Sequence, residues 1–142
     1  MPVKKASAVW NGNLKEGSGS INSESGVLSE AAFTFASRFE DEGKSNPEEL
    51  IGAAHAGCYS MALSNELHSA GHNSKSVSTN ADVSLEMVDG TPTITKIKLT
   101  TKADVPGLSD SEFQKIASAT KEACPVSRAL ESVDIELDAS LA

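Results

Sequence analysis

Cys58 and Cys124 are the only two thiols in the 142-residue chain, and each sits where a thiol could be put to use. Cys58 lies in Leu50–Leu63, a run without a single aspartate, glutamate, lysine or arginine. A thiol there is by default a small hydrophobe, and burial raises its pKa. Cys124 is set differently. Pro125 follows it directly and can open a helix, which puts the sulfur at a helix N-terminus, where a thiolate is stabilised. Two such cysteines suit a peroxidatic and a resolving thiol, although their spacing alone is unspecific.

That chemistry has further demands. A thiolate attacks the O–O bond of a hydroperoxide, releases an alcohol and becomes a sulfenic acid; a second thiol condenses with it before over-oxidation. An outside dithiol then restores both. A positive group is needed to favour the thiolate and to steady the departing oxygen. Arg38, one of only two arginines, is the best source of that charge. Its simpler use is a local ion pair with Glu40, Asp41 or Glu42. A guanidinium serving a thiolate needs an acid to hold its fork, and Glu48 or Glu49 could supply a bidentate clamp. Both acids also suit the first turn of a helix simply as helix residues.

The histidines are weaker candidates. His55 precedes Cys58 by one helical turn and shares its face, so a Cys–His nucleophile is conceivable. No third orienting group or oxyanion-hole motif accompanies it, and a packed, hydrogen-bonded core histidine is the preferred reading. His68 and His72 have the spacing of a metal pair but no third ligand nearby, and read as partners of a helix C-terminus. Arg128 reads as a helix-end cation.

These groups hang on the stretch Asn46–Leu67. Asn46 can cap a helix, Pro47 suits its first position, and Glu48 and Glu49 favour the positive end of its dipole. Small or apolar residues on nearly every face predict a buried helix. Gly52, Ala53, Ala54, Ala56 and Gly57 leave its surface thin. The two glycines cost about 1 kcal/mol each relative to alanine, so a close partner is expected there. Ten residues of straight helix separate Glu48 from Cys58 by roughly 15 Å along the axis, beyond a glutamate's reach. Either Arg38 bridges them or the groups meet across a subunit boundary.

Around that helix the chain alternates. A short strand over Ala6–Trp10 turns at Asn11–Gly12, and a weak strand falls within Gly17–Ser25. Phe33, Phe35, Ser37 and Phe39 alternate with Thr34, Ala36 and Arg38, which predicts a strand with one aromatic face and Arg38 on the other. The central helix ends near Ala70, with Gly71 as its cap. Val77–Leu85 is a half-buried strand, Asp89–Gly90 a turn, and Ile97–Val105 the return strand, with Ile94 out of register, which suggests a bulge or a later strand start. Ser109 and Glu112 form a capping box for a helix that buries Phe113, Ile116, Ala117 and Thr120. A short helix from Pro125 through Leu130 and a last strand over Val133–Leu141 complete the order β-β-β-α-β-β-α-α-β. This is an α+β pattern with mostly antiparallel pairing, in one domain over residues 1–142.

Composition narrows the partners. A net charge of −8 argues against nucleic acid and anionic membrane. No apolar run follows Lys4 and Lys5 as a secretory signal would require, and no segment reaches the ~20 apolar residues of a membrane span. A cytoplasmic setting is expected, where two cysteines are a poor structural staple. With 39% hydrophobic and 4% aromatic residues, the core should be built from Val, Ile, Leu, Ala and Met.

The segment Asn46-Pro-Glu-Glu-Leu-Ile-Gly-Ala-Ala-His-Ala-Gly-Cys58, with Cys124-Pro125-Val126-Ser127, resembles the two cysteine motifs of the OsmC/Ohr hydroperoxide reductases. The resemblance runs from Trp10-Asn11-Gly12 to the last strand, and Ser37-Arg38-Phe39-Glu40 is similar to the osmotically inducible OsmC branch. It implies an OsmC-like α+β fold, with antiparallel sheets around a long buried central helix, and an intertwined homodimer with sites at its interface. It further implies a thiol-dependent peroxidase acting on small or lipid-derived organic hydroperoxides, and more weakly on hydrogen peroxide. In it Cys58 attacks, Cys124 resolves through a Cys58–Cys124 disulfide, Glu48 is the motif acid and Arg38 its arginine. No metal, haem or flavin cofactor is implied, only an external thiol or dithiol reductant. The alternative is a non-catalytic, stress-associated dimer that binds an apolar ligand or partner and uses both cysteines as core packing.

Overall fold

The computed structural model describes residues 1–142, which form two compact units, Met1–Leu50 and Ile51–Ala142. In the first, β1 (Ala6–Asn11), β2 (Ser18–Ser23) and β3 (Ala31–Phe33) form an antiparallel sheet in the order β1-β2-β3. The turn after β1 begins at Asn11–Gly12 as expected and continues as a loop to Gly17, whose amide donates to Asn13 O at 3.0 Å. A Cβ on Gly17 would lie 2.4 Å from the carbonyl oxygens of both Asn11 and Asn13, so only glycine closes this loop.

The strand expected over Phe33–Phe39 is not formed. β3 stops at Phe33, and α1 occupies Phe35–Phe39. Thr34 decides this locally: its hydroxyl accepts from the Ser37 amide at 3.1 Å, and the Ser37 hydroxyl accepts from the Thr34 amide at 2.8 Å. This reciprocal capping starts a helix where alternation alone would continue a strand. Phe35 and Phe39 then sit one turn apart, ring centroids 4.9 Å from each other, and Arg38 lies on a helix. The chain enters α2 (Pro47–Ser69) with Asn46 Oδ1 accepting from the Glu49 amide at 2.7 Å.

In the second unit α2 presents Gly52, His55, Tyr59, Leu63 and Leu67, at helical spacing, as a buried face. The expectation of burial on every face holds, within the single chain, for that face only: Ala53, Ala54, Gly57 and Met61 are exposed. Below it, β4 (Ser76–Val88) and β5 (Thr91–Asp104) pair antiparallel around a two-residue turn, with positive φ at Asp89 and Gly90. The register slips between Ser84 and Leu85, pairing Ser84 with Lys96 but Leu85 with Ile94, which is the bulge that Ile94 signalled. α3 (Asp110–Ala123) and α4 (Pro125–Ala129) follow, and β6 (Asp134–Leu141) adds to β5 in parallel. This pairing departs from the otherwise antiparallel pattern. A crossover long enough to hold two helices permits it.

The core of this unit gathers Tyr59, Leu63 and Leu67 from α2, Ile97, Leu99 and Ala103 from β5, and Phe113 and Ala117 from α3, all fully buried. Cys124, at the junction of α3 and α4, is buried among them. A leucine or isoleucine so buried contributes roughly 1.5–3 kcal/mol. The sulfur of Cys124 is thus held by the same packing that holds the fold.

Candidate active site

In the first unit the structure brings Arg38 and Glu48 together. Arg38 Nε and Nη2 donate to Glu48 Oε1 at 3.0 and 2.9 Å. The local partners Glu40, Asp41 and Glu42 are not used; Glu42 instead accepts from the Thr34 hydroxyl and pairs with Lys44. Glu48 is buried and its Oε2 has no hydrogen-bond partner, while Glu49 is exposed. The guanidinium carbon stands 5.3 Å from the Phe39 ring centroid, and Trp10, Leu14, Phe33, Phe35 and Phe39 line a small apolar hollow with Arg38. The arrangement offers a clamped positive charge beside apolar surface.

In the second unit the two sulfurs meet. Cys58, half-buried on α2, and Cys124, fully buried, share a hydrogen bond with Sγ atoms 3.0 Å apart, and neither is in a disulfide. Closing a disulfide would shorten that separation by ~1 Å. Burial pushes the Cys58 thiol up, its hydrogen bond to Cys124 acts the same way, and none of the groups acting on it is a cation. Burial also acts upward on Cys124. There it is outweighed by the hydrogen bond with Cys58 and by the Ser127 amide and hydroxyl and the Val126 amide, so the Cys124 thiol is held below its ordinary range. These α4 groups act on the sulfur as nearby dipoles, since no capping hydrogen bond of ordinary geometry runs from Cys124 to α4. Within this unit no cation acts on Cys58, and only the Val126 amide favours its thiolate, against the upward push of burial and of Cys124.

Two neighbouring polar groups complete the setting. His55, fully buried, places Nε2 2.7 Å from Ser127 Oγ. The expectation of a packed, hydrogen-bonded core histidine is met, with burial holding its pKa low. Tyr59 donates its buried hydroxyl to Ala117 O at 2.9 Å, tying α2 to α3. Ser127 carried no role in the sequence reading. Its signal was positional: a hydroxyl three residues after a helix-capping cysteine faces the cap.

The other candidates lie elsewhere. His68 Nδ1 pairs with Asn73 Oδ1 at 2.7 Å, and His72 Nε2 lies 3.4 Å from Glu112. No group of three or more His, Cys, Asp or Glu side chains is gathered to hold a metal ion. No helix is long and apolar enough to cross a membrane.

Comparison with known proteins places this geometry in context. The family model described as OsmC-like protein matches residues 40–138. The chain is 49% identical over 138 residues to a protein of Escherichia coli (strain K12) named peroxiredoxin OsmC, covering 97% of this chain and 96% of the relative. Among solved structures it is similar to the organic hydroperoxide resistance protein OhrB of Bacillus subtilis, with a TM-score of 0.71 and 26% identity over 95% of this chain and 97% of that one. An OsmC-like protein of Vibrio cholerae has a TM-score of 0.76 over 98% of this chain and 99% of its own, a likeness of fold at 17% identity.

Proposed function

This chain belongs to the OsmC-like family, and from that premise we propose that it is a cysteine-based peroxidase that reduces organic hydroperoxides to alcohols. The observation that carries the reading is the meeting of two unbridged sulfurs at 3.0 Å inside a packed core. Core packing alone needs no thiol at either position. A sulfenic acid formed on one sulfur would be within reach of the other without rearrangement of the helices.

Cys58 is proposed as the attacking thiol. It retains partial exposure whereas Cys124 is fully buried, so a hydroperoxide arriving from solvent meets Cys58 first. Its thiolate attacks the O–O bond, the alcohol leaves and Cys58 becomes a sulfenic acid. Cys124 then attacks that sulfur, and an external thiol or dithiol reduces the resulting disulfide. Arg38, held by Glu48, is proposed as the positive group that Cys58 lacks within its own unit. An organic hydroperoxide is the preferred substrate in this reading, supported by the organic hydroperoxide resistance protein among the similar structures, and hydrogen peroxide is the weaker one.

The working form is proposed to be a homodimer in which all 142 residues act as one functional domain. Support comes from the exposed Ala53, Ala54, Gly57 and Met61 face of α2, which is flat, apolar and suited to a twofold partner. The setting is proposed to be cytoplasmic, where a redox-active cysteine pair is returned to the dithiol between turnovers.

A steady-state assay with cumene hydroperoxide and dithiothreitol tests the proposal. Wild-type protein should turn over many equivalents and Cys58→Ser none, because a serine hydroxyl is not ionised near neutral pH. Turnover retained in Cys58→Ser would refute the assignment.

A further inference from the structure

Three side chains of α2 reach across to the segment that carries Cys124. Tyr59 donates to Ala117 O of α3 at 2.9 Å, Cys58 meets Cys124 at 3.0 Å, and His55 Nε2 lies 2.7 Å from Ser127 Oγ of α4. Cys124 is the residue between the two helices, and its ψ of 125° takes the backbone out of α3 before Pro125 opens α4. Proline has no amide to carry a helical hydrogen bond across that point. The sulfur of Cys124 thus sits on a bend, with α3 fastened to α2 on one side of it and α4 on the other.

The polar fastening of α4 is narrow. Ser127 is the only side chain of α4 that makes a hydrogen bond, and its partner is His55. His55 is fully buried and Ser127 is 5% exposed. An apolar pair could fill this space without the cost of burying polar atoms. A hydrogen bond adds what apolar contact lacks, a preferred distance and direction between the two helices.

The two links that hold the α4 side answer differently to oxidation. The sulfur contact belongs to the dithiol, and it changes as soon as Cys58 becomes S–OH. The His55–Ser127 link contains no sulfur and is left as it was. We propose that this hydrogen bond is the tether that keeps Cys124 in place while Cys58 is a sulfenic acid, with His55 and Ser127 as positioning residues for disulfide closure. This rests on the peroxidase reading above. In closure the Cys124 sulfur attacks the Cys58 sulfur, the S–S bond forms and the S–O bond breaks. The oxygen leaves with the bonding pair and takes the Cys124 proton, giving water. The competing step is attack by the sulfenic acid on a second hydroperoxide, which adds another oxygen to Cys58 as a sulfinic acid and releases a second alcohol. A tether that survives the first oxidation favours closure over that loss.

Reduced protein mixed with one equivalent of cumene hydroperoxide separates the stages. Loss of peroxide reports oxidation of Cys58, and decay of the dimedone-reactive sulfenic acid reports closure. Ser127→Ala and His55→Leu should keep peroxide loss within about twofold of wild type and slow closure ~10-fold or more, because the attacking sulfur is no longer held in place. With excess hydroperoxide the same variants should accumulate Cys58 sulfinic acid, seen by mass spectrometry as two added oxygens, where wild type gives mainly the disulfide. Ser127→Thr keeps the hydroxyl, and the cleft of about 480 Å³ that Ser127 helps to line leaves room for its methyl group. It should close within about threefold of wild type, a rescue that a space-filling role would not give. Closure at the wild-type rate in Ser127→Ala, or closure as slow in Ser127→Thr as in Ser127→Ala, overturns the inference and leaves the peroxidase reading standing. Should His55→Leu fail to fold, Ser127→Ala, which removes one oxygen, carries the test by itself. Wild-type protein that consumes no peroxide overturns the peroxidase reading and this inference with it.

Discussion

Arg38 directs two of its three guanidinium nitrogens at a single oxygen, Glu48 Oε1, and leaves Glu48 Oε2 buried without a partner. A fork-to-fork pair would have used both carboxylate oxygens. The geometry fixes the side of the guanidinium while keeping its remaining nitrogen out of the pair. A charge held in this way suits a role toward a third group better than a closed salt bridge does.

The first prediction concerns that charge. Arg38→Ala should move the rise of peroxide reactivity to higher pH and slow the reaction at neutral pH ~10-fold or more, since an opposite charge no longer favours the thiolate. The sign follows from Cys58, which burial already pushes up. Arg38→Lys should recover only part, because an ammonium keeps the charge and loses the two-nitrogen grip on Glu48. Stopped-flow peroxide consumption across pH reads both, and an unchanged profile in Arg38→Ala would leave Arg38 as a structural ion pair.

Removing the resolving thiol should separate the two halves of the reaction. Cys124→Ser is expected to consume about one equivalent of hydroperoxide and then stall as a sulfenic acid, which mass spectrometry detects as one added oxygen. If Cys124→Ser instead loses the first equivalent while Cys58→Ser keeps it, the two roles are exchanged.

A third prediction addresses the exposed face of α2. A Cβ built at Gly57 meets nothing within 4 Å in the single chain, so Gly57→Leu should leave the fold of each chain intact. In a dimer packed on that face the same substitution acts as a wedge and should weaken association by ~1–3 kcal/mol. Sedimentation equilibrium of both proteins decides this. A wild-type monomer at micromolar concentration, or a variant dimer as tight as wild type, would mean that this face is not the interface.

Burial of His55 should also leave a mark on stability. Its folded-state pKa lies below the ordinary 6.5, so as pH falls below 6.5 the unfolded chain binds a proton that the folded chain does not. Stability is therefore lost with falling pH in that window and is unaffected by this group above it. Urea midpoints at pH 7.5 and 5.5 should differ more for wild type than for His55→Gln, which has no titrating ring. Equal differences would show that His55 does not titrate on unfolding as described.

Much of the second unit was legible because its periodicities are unambiguous. Val77–Leu85 and Ile97–Val105 alternate cleanly, Asp89–Gly90 supplies the two positive φ values of a tight turn, and the out-of-step Ile94 marks the bulge. The region around Arg38 misled for a physical reason. Phe33, Phe35 and Phe39 satisfy a strand's alternation, yet Phe35 and Phe39 also satisfy a helix's four-residue spacing. The choice is made by Thr34 and Ser37, a capping pair that lacks the glutamate usual at its third helical position. The parallel seat of β6 depends on tertiary packing of a crossover, which no local pattern encodes. Arg38 with Glu48 was one of several pairings the sequence allowed. Choosing among them needed the turn at Thr34 that points the arginine back toward the start of α2.

The central claim is that Cys58 and Cys124 are a working redox pair. Counting free thiols per chain before and after one equivalent of cumene hydroperoxide, without reductant, tests it most directly. The account predicts that both of the chain's thiols disappear together and that dithiothreitol restores both. Thiols that remain at two per chain after the peroxide is added would contradict it and leave the cysteines as core packing.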